Sequence, residues 1–366
     1  MKVIISGGGT GGHIFPALAI ANAITERYPN SNILFIGAIG KMEMEKVPAA
    51  GYPIEGLPIA GLQRKLSLKN LLLPIKLFKS QQRAKEIIKK FNPDIVVGVG
   101  GYASAPTLKM AEKLGYPTIL QEQNSYPGLT NKMLAKKANK ICVAYDGLDR
   151  FFPKEKIVFT GNPVRKSIEQ MDVTKTESTN FFDLDPNKKT ILSIGGSLGA
   201  RSINEALHAN IDFFKKNDIQ LIWQTGKWYY NTAKNAVAEA KAENNIKVFD
   251  FIAAMDKAYC AADSIISRSG AIAISELCLV GKPTILIPSP NVSEDHQTKN
   301  AMALVNKGAA IMIADNEITD KLAHTLGDFM KDKEKQSAMS KACLNMGVRD
   351  AANKIVDEID SIIKQR

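Results

Sequence analysis

The sequence predicts an α/β fold of two doubly wound, parallel-sheet domains in tandem, and three observations carry that expectation. Short runs rich in Val and Ile alternate with longer amphipathic segments, as strands and helices do when a parallel sheet is covered on both faces. The alternation restarts near residue 190. Each half opens on a strand, a glycine turn and a helix: Val3-Ile-Ile-Ser-Gly-Gly-Gly-Thr-Gly-Gly-His13 in the first, Ile191-Leu-Ser-Ile-Gly-Gly-Ser-Leu-Gly-Ala200 in the second. At 366 residues the chain also exceeds the roughly 250–300 at which a single core stops growing.

In chain order, 2–6, 32–37, 94–99, 117–121 and 140–144 read as buried strands, with helices over 16–28 and 74–91 between them. Regular structure breaks at Gly161-Asn-Pro-Val-Arg165, where the proline interrupts it, and the polar stretch 175–187 reads as a surface loop. Strands resume at 190–194, 219–224, 246–249, 264–267 and 283–287, with a helix over 271–279. The final segment, 349–366, sets Ile355, Ile359, Ile362 and Ile363 on one stripe, an amphipathic helix that must pack on something.

Composition narrows the function. With 45% hydrophobic residues the chain has a real core, which excludes a disordered protein. The cysteines Cys142, Cys260, Cys278 and Cys343 form no C-x-x-C, which argues against a disulfide scaffold or a structural zinc and for reduced thiols. The apolar run after Lys2 is too short for a signal-peptide core, and no stretch nears the roughly 18–20 apolar residues that cross a bilayer. A protein that stays on the cytoplasmic side is expected.

Gly7, Gly9 and Gly12 match G-x-G-x-x-G between a strand and a helix, a cradle for phosphate. Dinucleotide binding also needs a carboxylate at the end of the second strand, and Leu34-Phe-Ile-Gly-Ala38 has none, so NAD is disfavoured. His13 falls in the first turn of the helix, where the dipole favours a neutral imidazole able to accept a proton; a structural histidine is the alternative. Gly98-Val-Gly-Gly-Tyr-Ala-Ser-Ala-Pro106 and Gln121-Glu-Gln-Asn-Ser125 add polar loops at the ligand-binding edge of the same sheet. In the second half, Ser264-Ile-Ile-Ser-Arg-Ser-Gly-Ala271 turns into a helix whose N-terminus suits a diphosphate, and Glu276 within it can accept from both hydroxyls of a ribose. His296-Gln297 and Asn300 follow the next strand. Asp183-Leu-Asp185 resembles a metal-binding D-x-D but sits in a polar turn, and no G-x-x-x-x-G-K-[ST] occurs, which excludes a P-loop nucleotidase.

Residues 61–90 hold nine basic residues against the single acid Glu86, most of the net charge of +11, interleaved with leucines, Ile75 and Phe78. This reads as an apolar wedge ringed by lysines for an anionic membrane surface. Nucleic acid is disfavoured because the stretch lacks an aromatic stacking platform; a buried helix with a solvated basic face remains the plainer alternative.

Over nearly its whole length the sequence resembles the lipid II-forming N-acetylglucosaminyltransferases of glycosyltransferase family 28. The resemblance rests on Gly7-Gly-Gly-Thr-Gly-Gly-His-Ile-Phe-Pro-Ala17, 98–106, Glu122-Gln-Asn124, Gly128-Leu-Thr-Asn131, 161–165, Gly195-Gly-Ser-Leu-Gly-Ala200, Arg268-Ser-Gly-Ala271 and Ser275-Glu276, in that order. It implies two Rossmann-like domains facing across a cleft, the GT-B arrangement: 1–163 with the helix 347–366 packing back, and 164–346. It implies inverting, metal-independent transfer of GlcNAc from UDP-GlcNAc to the MurNAc 4-hydroxyl of undecaprenyl-diphospho-MurNAc-pentapeptide (lipid I), with no cofactor. Another GT-B enzyme with a different lipid-linked or small-molecule acceptor is the alternative. Carried over by position, His13 is the base with Glu122 second. Glu276 holds the ribose and the Ile252 backbone the uracil. Ser197, the helix start Ala271, Ile272, Ala273, Ile274 and Ser275, and Gln297 contact the diphosphate and sugar. Thr10, Gly11, Gly12, Asn124 and Arg165 complete donor binding. The resemblance further implies a peripheral protein at the cytoplasmic face of the cell membrane, with cell-wall synthesis proteins as partners. Gln121, Ala253-Ala254 and Leu198 depart from the common pattern; Gln121 weakens the case for a second catalytic histidine, and Leu198 puts in doubt a side-chain role there.

Overall fold

The computed structural model describes residues 1–59 and 73–365. The chain folds into two compact units, Met1–Arg165 with Asp350–Arg366, and Lys166–Arg349. The first break thus falls after Arg165 rather than 163, and the return begins at Asp350 rather than 347. A buried amide network anchors the chain just before the first break. Gln121 Nε2 donates to Asn162 Oδ1 (2.9 Å) and Asn162 Nδ2 to the Gln123 carbonyl (3.0 Å), which ties 161–165 to the first unit.

The first unit is built on strands β1 (Lys2–Ser6), β2 (Asn32–Ala38), β3 (Ile54–Leu57), β4 (Ile95–Gly98), β5 (Thr118–Glu122), β6 (Lys140–Val143) and β7 (Ile157–Phe159). They form one parallel sheet in the order β3-β2-β1-β4-β5-β6-β7, with Ile4 opposite Leu34 on one side and Val96 on the other. Strand side chains alternate between faces, so an unbroken run such as Val3-Ile4-Ile5 feeds two cores. Val3 and Ile5 pack with the Gly11–Arg27 and Ala351–Lys364 helices, whereas Ile4 packs with the Leu73–Phe91 and Ser104–Lys113 helices. The first helix starts at Gly11, ahead of the expected Pro16, because Thr10 at its N-cap lies in extended backbone (φ −146°, ψ 157°) and the two glycines that follow it are already helical.

The C-terminal helix buries Ile355, Val356, Ile359 and Ile362 against that first helix. Full burial of one such side chain stabilises by about 1.5–3 kcal/mol, so apolar packing dominates over the partly exposed Arg27–Asp357 pair (2.6 Å). Tyr28 Oη also donates to Asp360 (2.6 Å), which fixes the helix's register.

The second unit repeats the design with β8 (Thr190–Ile194), β9 (Gln220–Gln224), β10 (Ile246–Phe249), β11 (Ser264–Ser267), β12 (Thr284–Leu286) and β13 (Ile311–Met312), a parallel sheet in the order β10-β9-β8-β11-β12-β13. The expected surface loop at 175–187 is corrected in part, since Lys175–Phe181 is a helix. Thr174 and Glu177 form a reciprocal capping box that satisfies its first turn, and the loop residues Phe182 and Leu184 are buried. Asp183 is exposed and pairs with Lys247 (2.6 Å). Among the described residues no helix is long and apolar enough to cross a membrane. Of the basic segment 61–90, residues 61–72 lie outside the described residues.

Candidate active site

In an open α/β sheet, ligands collect at the carboxyl ends of the strands where the strand order reverses. That point lies between β1 and β4 in the first unit and between β8 and β11 in the second. The glycine turns stand at these points.

In the first unit the turns after β1 and β4 lie backbone on backbone. A Cβ at Gly101 (φ +87°) would fall on the Gly8 carbonyl oxygen, so only glycine lets the loops meet. His13, half-buried in the first turn of its helix, lies against the second loop: a Cβ at Gly100 would stand 3.1 Å from His13 Nε2 and 3.9 Å from Asn131 Nδ2. Thr10 makes no side-chain cap; its Oγ1 instead pairs with His13 Nδ1 at 3.2 Å. When Nδ1–H donates to that hydroxyl, Nε2 is the basic nitrogen of the ring. The opening N–H groups of the helix, at Gly11 and Gly12, have no intrahelical acceptor and favour negative charge.

Glu122, at the end of β5, is buried and organises its own loop. Oε1 accepts from Asn124 N (3.0 Å) and Asn124 Nδ2 (3.1 Å), and Oε2 accepts from Gly128 N (3.2 Å) and Asn131 Nδ2 (2.9 Å). Burial pushes the Glu122 carboxyl above the ordinary carboxylate range, against the downward pull of those donors. Each buried N–H left without its acceptor costs about 1–3 kcal/mol. Glu122→Ala is therefore expected to lower the unfolding free energy by at least about 2 kcal/mol in urea titration, with faster amide exchange at 124–131. Unchanged stability would mean that the carboxylate does not hold the loop. Arg165 is exposed at the end of the unit.

In the second unit, the loops after β8 and β9 also touch backbone to backbone: a Cβ at Gly226 would fall on the Leu198 carbonyl oxygen. Ser197 and Leu198 are exposed at the tip of the first of these loops. Gln224, buried at the end of β9, bridges two loops, its Nε2 donating to the Gly196 carbonyl (3.1 Å) and its Oε1 accepting from Ile252 N–H (2.9 Å). The Ala271–Val280 helix starts after Gly270 without a side-chain cap, leaving its opening N–H groups directed out of the helix end. Ala271 and Ile274 are buried, Ile272, Ala273 and Ser275 half-buried. Glu276 is buried and accepts from Tyr259 Oη at 2.9 Å. Gln297 accepts from Ser289 N–H through Oε1 (2.9 Å), and its own carbonyl accepts from Ser269 Oγ (2.9 Å).

Within the Arg-Ser-Gly turn, Arg268 is engaged by its own chain. Its Nη1 donates to the Ile287 and Pro288 carbonyls (3.1 and 3.2 Å) and to Asp315, and its Nη2 to Ser202 Oγ (3.0 Å). The guanidinium braces the strand ends. Tyr259 and Gln224 were not found from the sequence. Gln224 carries a signal, a polar residue ending an apolar strand before Thr225-Gly226; Tyr259 carries none, since only tertiary packing brings it to Glu276.

Two doubly wound parallel-sheet units with glycine turns at both switch points give the chain the architecture of the GT-B class. Family models agree: the glycosyltransferase family 28 N-terminal domain matches residues 3–143 and the C-terminal domain residues 190–355. A Phocaeicola vulgatus protein named as UDP-N-acetylglucosamine--N-acetylmuramyl-(pentapeptide) pyrophosphoryl-undecaprenol N-acetylglucosamine transferase is 56% identical, covering 98% of this chain and 96% of its own. A Parabacteroides distasonis protein of the same name is 54% identical, covering 100% and 99%. Among solved structures, the MurG protein of Acinetobacter baumannii matches with a TM-score of 0.78 at 28% identity, covering 98% of this chain and 99% of that one. The chain belongs to glycosyltransferase family 28 and is similar throughout to N-acetylglucosaminyltransferases of cell-wall synthesis.

Proposed function

We infer that the protein transfers GlcNAc from UDP-GlcNAc to the 4-hydroxyl of MurNAc in lipid I, forming lipid II for peptidoglycan. The observation that carries this reading is end-to-end similarity to relatives named for that transfer. The reaction is a single displacement that inverts the donor's anomeric carbon. The acceptor oxygen bonds to C1, the bond from C1 to the diphosphate oxygen breaks, and the hydroxyl proton passes to a base. His13 is the base in this reading, with Nδ1 held by Thr10, and Glu122 holds the neighbouring loop. The uncapped start of the Ala271–Val280 helix, together with Ser197 and Gln297, meets the charge that develops on UDP. Glu276 accepts from the ribose, the Ile252 backbone reads the uracil, and Thr10–Gly12, Asn124 and Arg165 complete the donor site. Incubating the pure protein with labelled UDP-GlcNAc and a short-chain lipid I analogue should give the disaccharide-lipid without added divalent metal. No product with an active acceptor preparation overturns the reading.

The protein acts in this reading at the cytoplasmic face of the membrane, docked through 61–90. Support comes from the described part of that segment, where Ile75 and Phe78 are 53% and 61% exposed beside Lys76 and Lys79. Near-surface lysines contribute about 1 kcal/mol each on an anionic bilayer. Lys76→Glu with Lys79→Glu, or Ile75→Ser with Phe78→Ser, should therefore weaken binding to anionic vesicles at least tenfold, the first pair in a salt-sensitive way. Turnover of a water-soluble acceptor should stay nearly unchanged. Vesicle binding that survives both pairs places the dock elsewhere.

A further inference from the structure

We propose that Glu43 is a positioning residue for His13: its buried carboxylate holds the first glycine turn from beneath and so fixes the Thr10–His13 pair. Glu43 opens the Glu43–Ala49 helix and is 1% exposed. Its Oε2 accepts from Gly9 N–H (2.9 Å) and its Oε1 from Ala38 N–H (3.0 Å), joining the turn after β1 to the end of β2. The slot for this carboxyl group is built by two glycines. A Cβ at Gly8 would fall on the carboxyl group, and one at Gly37 would stand 2.6 Å from Glu43 Cγ.

A buried carboxylate needs strong compensation, and charge-assisted bonds from backbone N–H groups supply it. The same bonds change what the glycine fingerprint means here. The Gly9 N–H, which the motif alone offers to a ligand phosphate, already faces an anion of its own chain. Gly9 adjoins Thr10, and Thr10 Oγ1 meets His13 Nδ1 at 3.2 Å. The turn thus carries orientation from Glu43 through Gly9 and Thr10 to the imidazole. Gly100 and Gly101 cover the other side, one against the ring and one against Gly8, leaving the pair little room to settle elsewhere.

The proposal rests on the reading of His13 as the base, and the test separates the two. Glu43→Gln turns an amide NH₂ towards one of two N–H donors and should lower kcat by about 10–100-fold. KM for UDP-GlcNAc should change by less than kcat does, because Thr10–Gly12 supply only part of the donor contacts and Glu276 and its neighbours lie in the other unit. In a His13→Ala background the same substitution should cost nothing further, since the group it orients is gone. The readout besides activity is ¹⁵N NMR of the imidazoles: Glu43→Gln should shift the Nδ1/Nε2 protonation balance of His13 and leave the other three of the 4 histidines unmoved. If Glu43→Gln does not fold, Glu43→Asp, which keeps the charge on a shorter stem, takes its place. Additive losses, or an unmoved His13 signal, overturn the proposal alone. A His13→Ala enzyme that keeps its kcat overturns the base reading and this proposal with it.

Discussion

His13→Ala should lower kcat by roughly 10²–10⁴-fold while UDP affinity stays close to that of the parent. Attack on the anomeric carbon leaves a proton on the acceptor oxygen that must go somewhere as the bond forms. In the proposed reading His13 takes that proton, and its surroundings support the role: half-buried, at the start of an uncapped helix, with Nδ1 paired to Thr10 and its ring laid against Gly100. Glu122 is poorly placed to compete. Both of its oxygens are engaged by N–H donors of its own loop, and a proton arriving there would disrupt the bonds that order 124–131. Steady-state kinetics with saturating donor and a soluble acceptor would check this. If His13→Ala keeps kcat at saturation and loses affinity for the lipid-linked acceptor, the histidine is a diphosphate ligand and Glu122 becomes the favoured base.

Legibility followed the range of the interactions. Val3-Ile4-Ile5 and Ile191–Ile194 declare themselves as buried strands because both faces are covered, and the glycine turns behind them are local signals. The edges were harder. The strand Ile54–Leu57 contains Gly56, which reads as a turn; the structure needs glycine there because a Cβ would stand 2.6 Å from Ile39 Cγ1. Ile157–Phe159 and the two-residue strand Ile311–Met312 are too short for alternation to register. The helix at Lys175–Phe181 had a local signal, the Thr174–Glu177 box, hidden by the polar composition around it. Glu43 beneath Gly9 and Tyr259 on Glu276 were invisible for a different reason. Gly9 lies 34 residues from Glu43 and Glu276 17 from Tyr259, in different elements, and nothing in the spacing of residue types specifies the packing that brings them together.

Glu276→Ala should raise KM for UDP-GlcNAc at least tenfold and reduce the preference for UDP over 2′-deoxy-UDP. The expectation begins with the helix that carries the residue. Its uncapped N-terminus favours the diphosphate, and Glu276 lies five residues further on, at about 1.5 Å of rise per residue, a separation that suits a ribose. Tyr259 Oη donates to Oε2 (2.9 Å) and holds the carboxylate in one rotamer, so less freedom is lost when a ligand arrives. Bonds from the 2′ and 3′ hydroxyls to a carboxylate are charge-assisted and contribute about 1.5–3 kcal/mol each at best. Losing one such bond already accounts for a tenfold change, about 1.4 kcal/mol. The deoxy ligand provides the sharper test. In the parent protein it forgoes one bond to the carboxylate, which costs affinity; in Glu276→Ala neither nucleotide has that bond to make, so the two should bind more nearly alike. Glu276→Gln keeps one oxygen acceptor and should fall between. Calorimetric titration of UDP and 2′-deoxy-UDP against the three proteins gives the comparison. The same degree of discrimination in the parent and in Glu276→Ala would remove Glu276 from the ribose and, with it, the pose in which the second unit holds the donor.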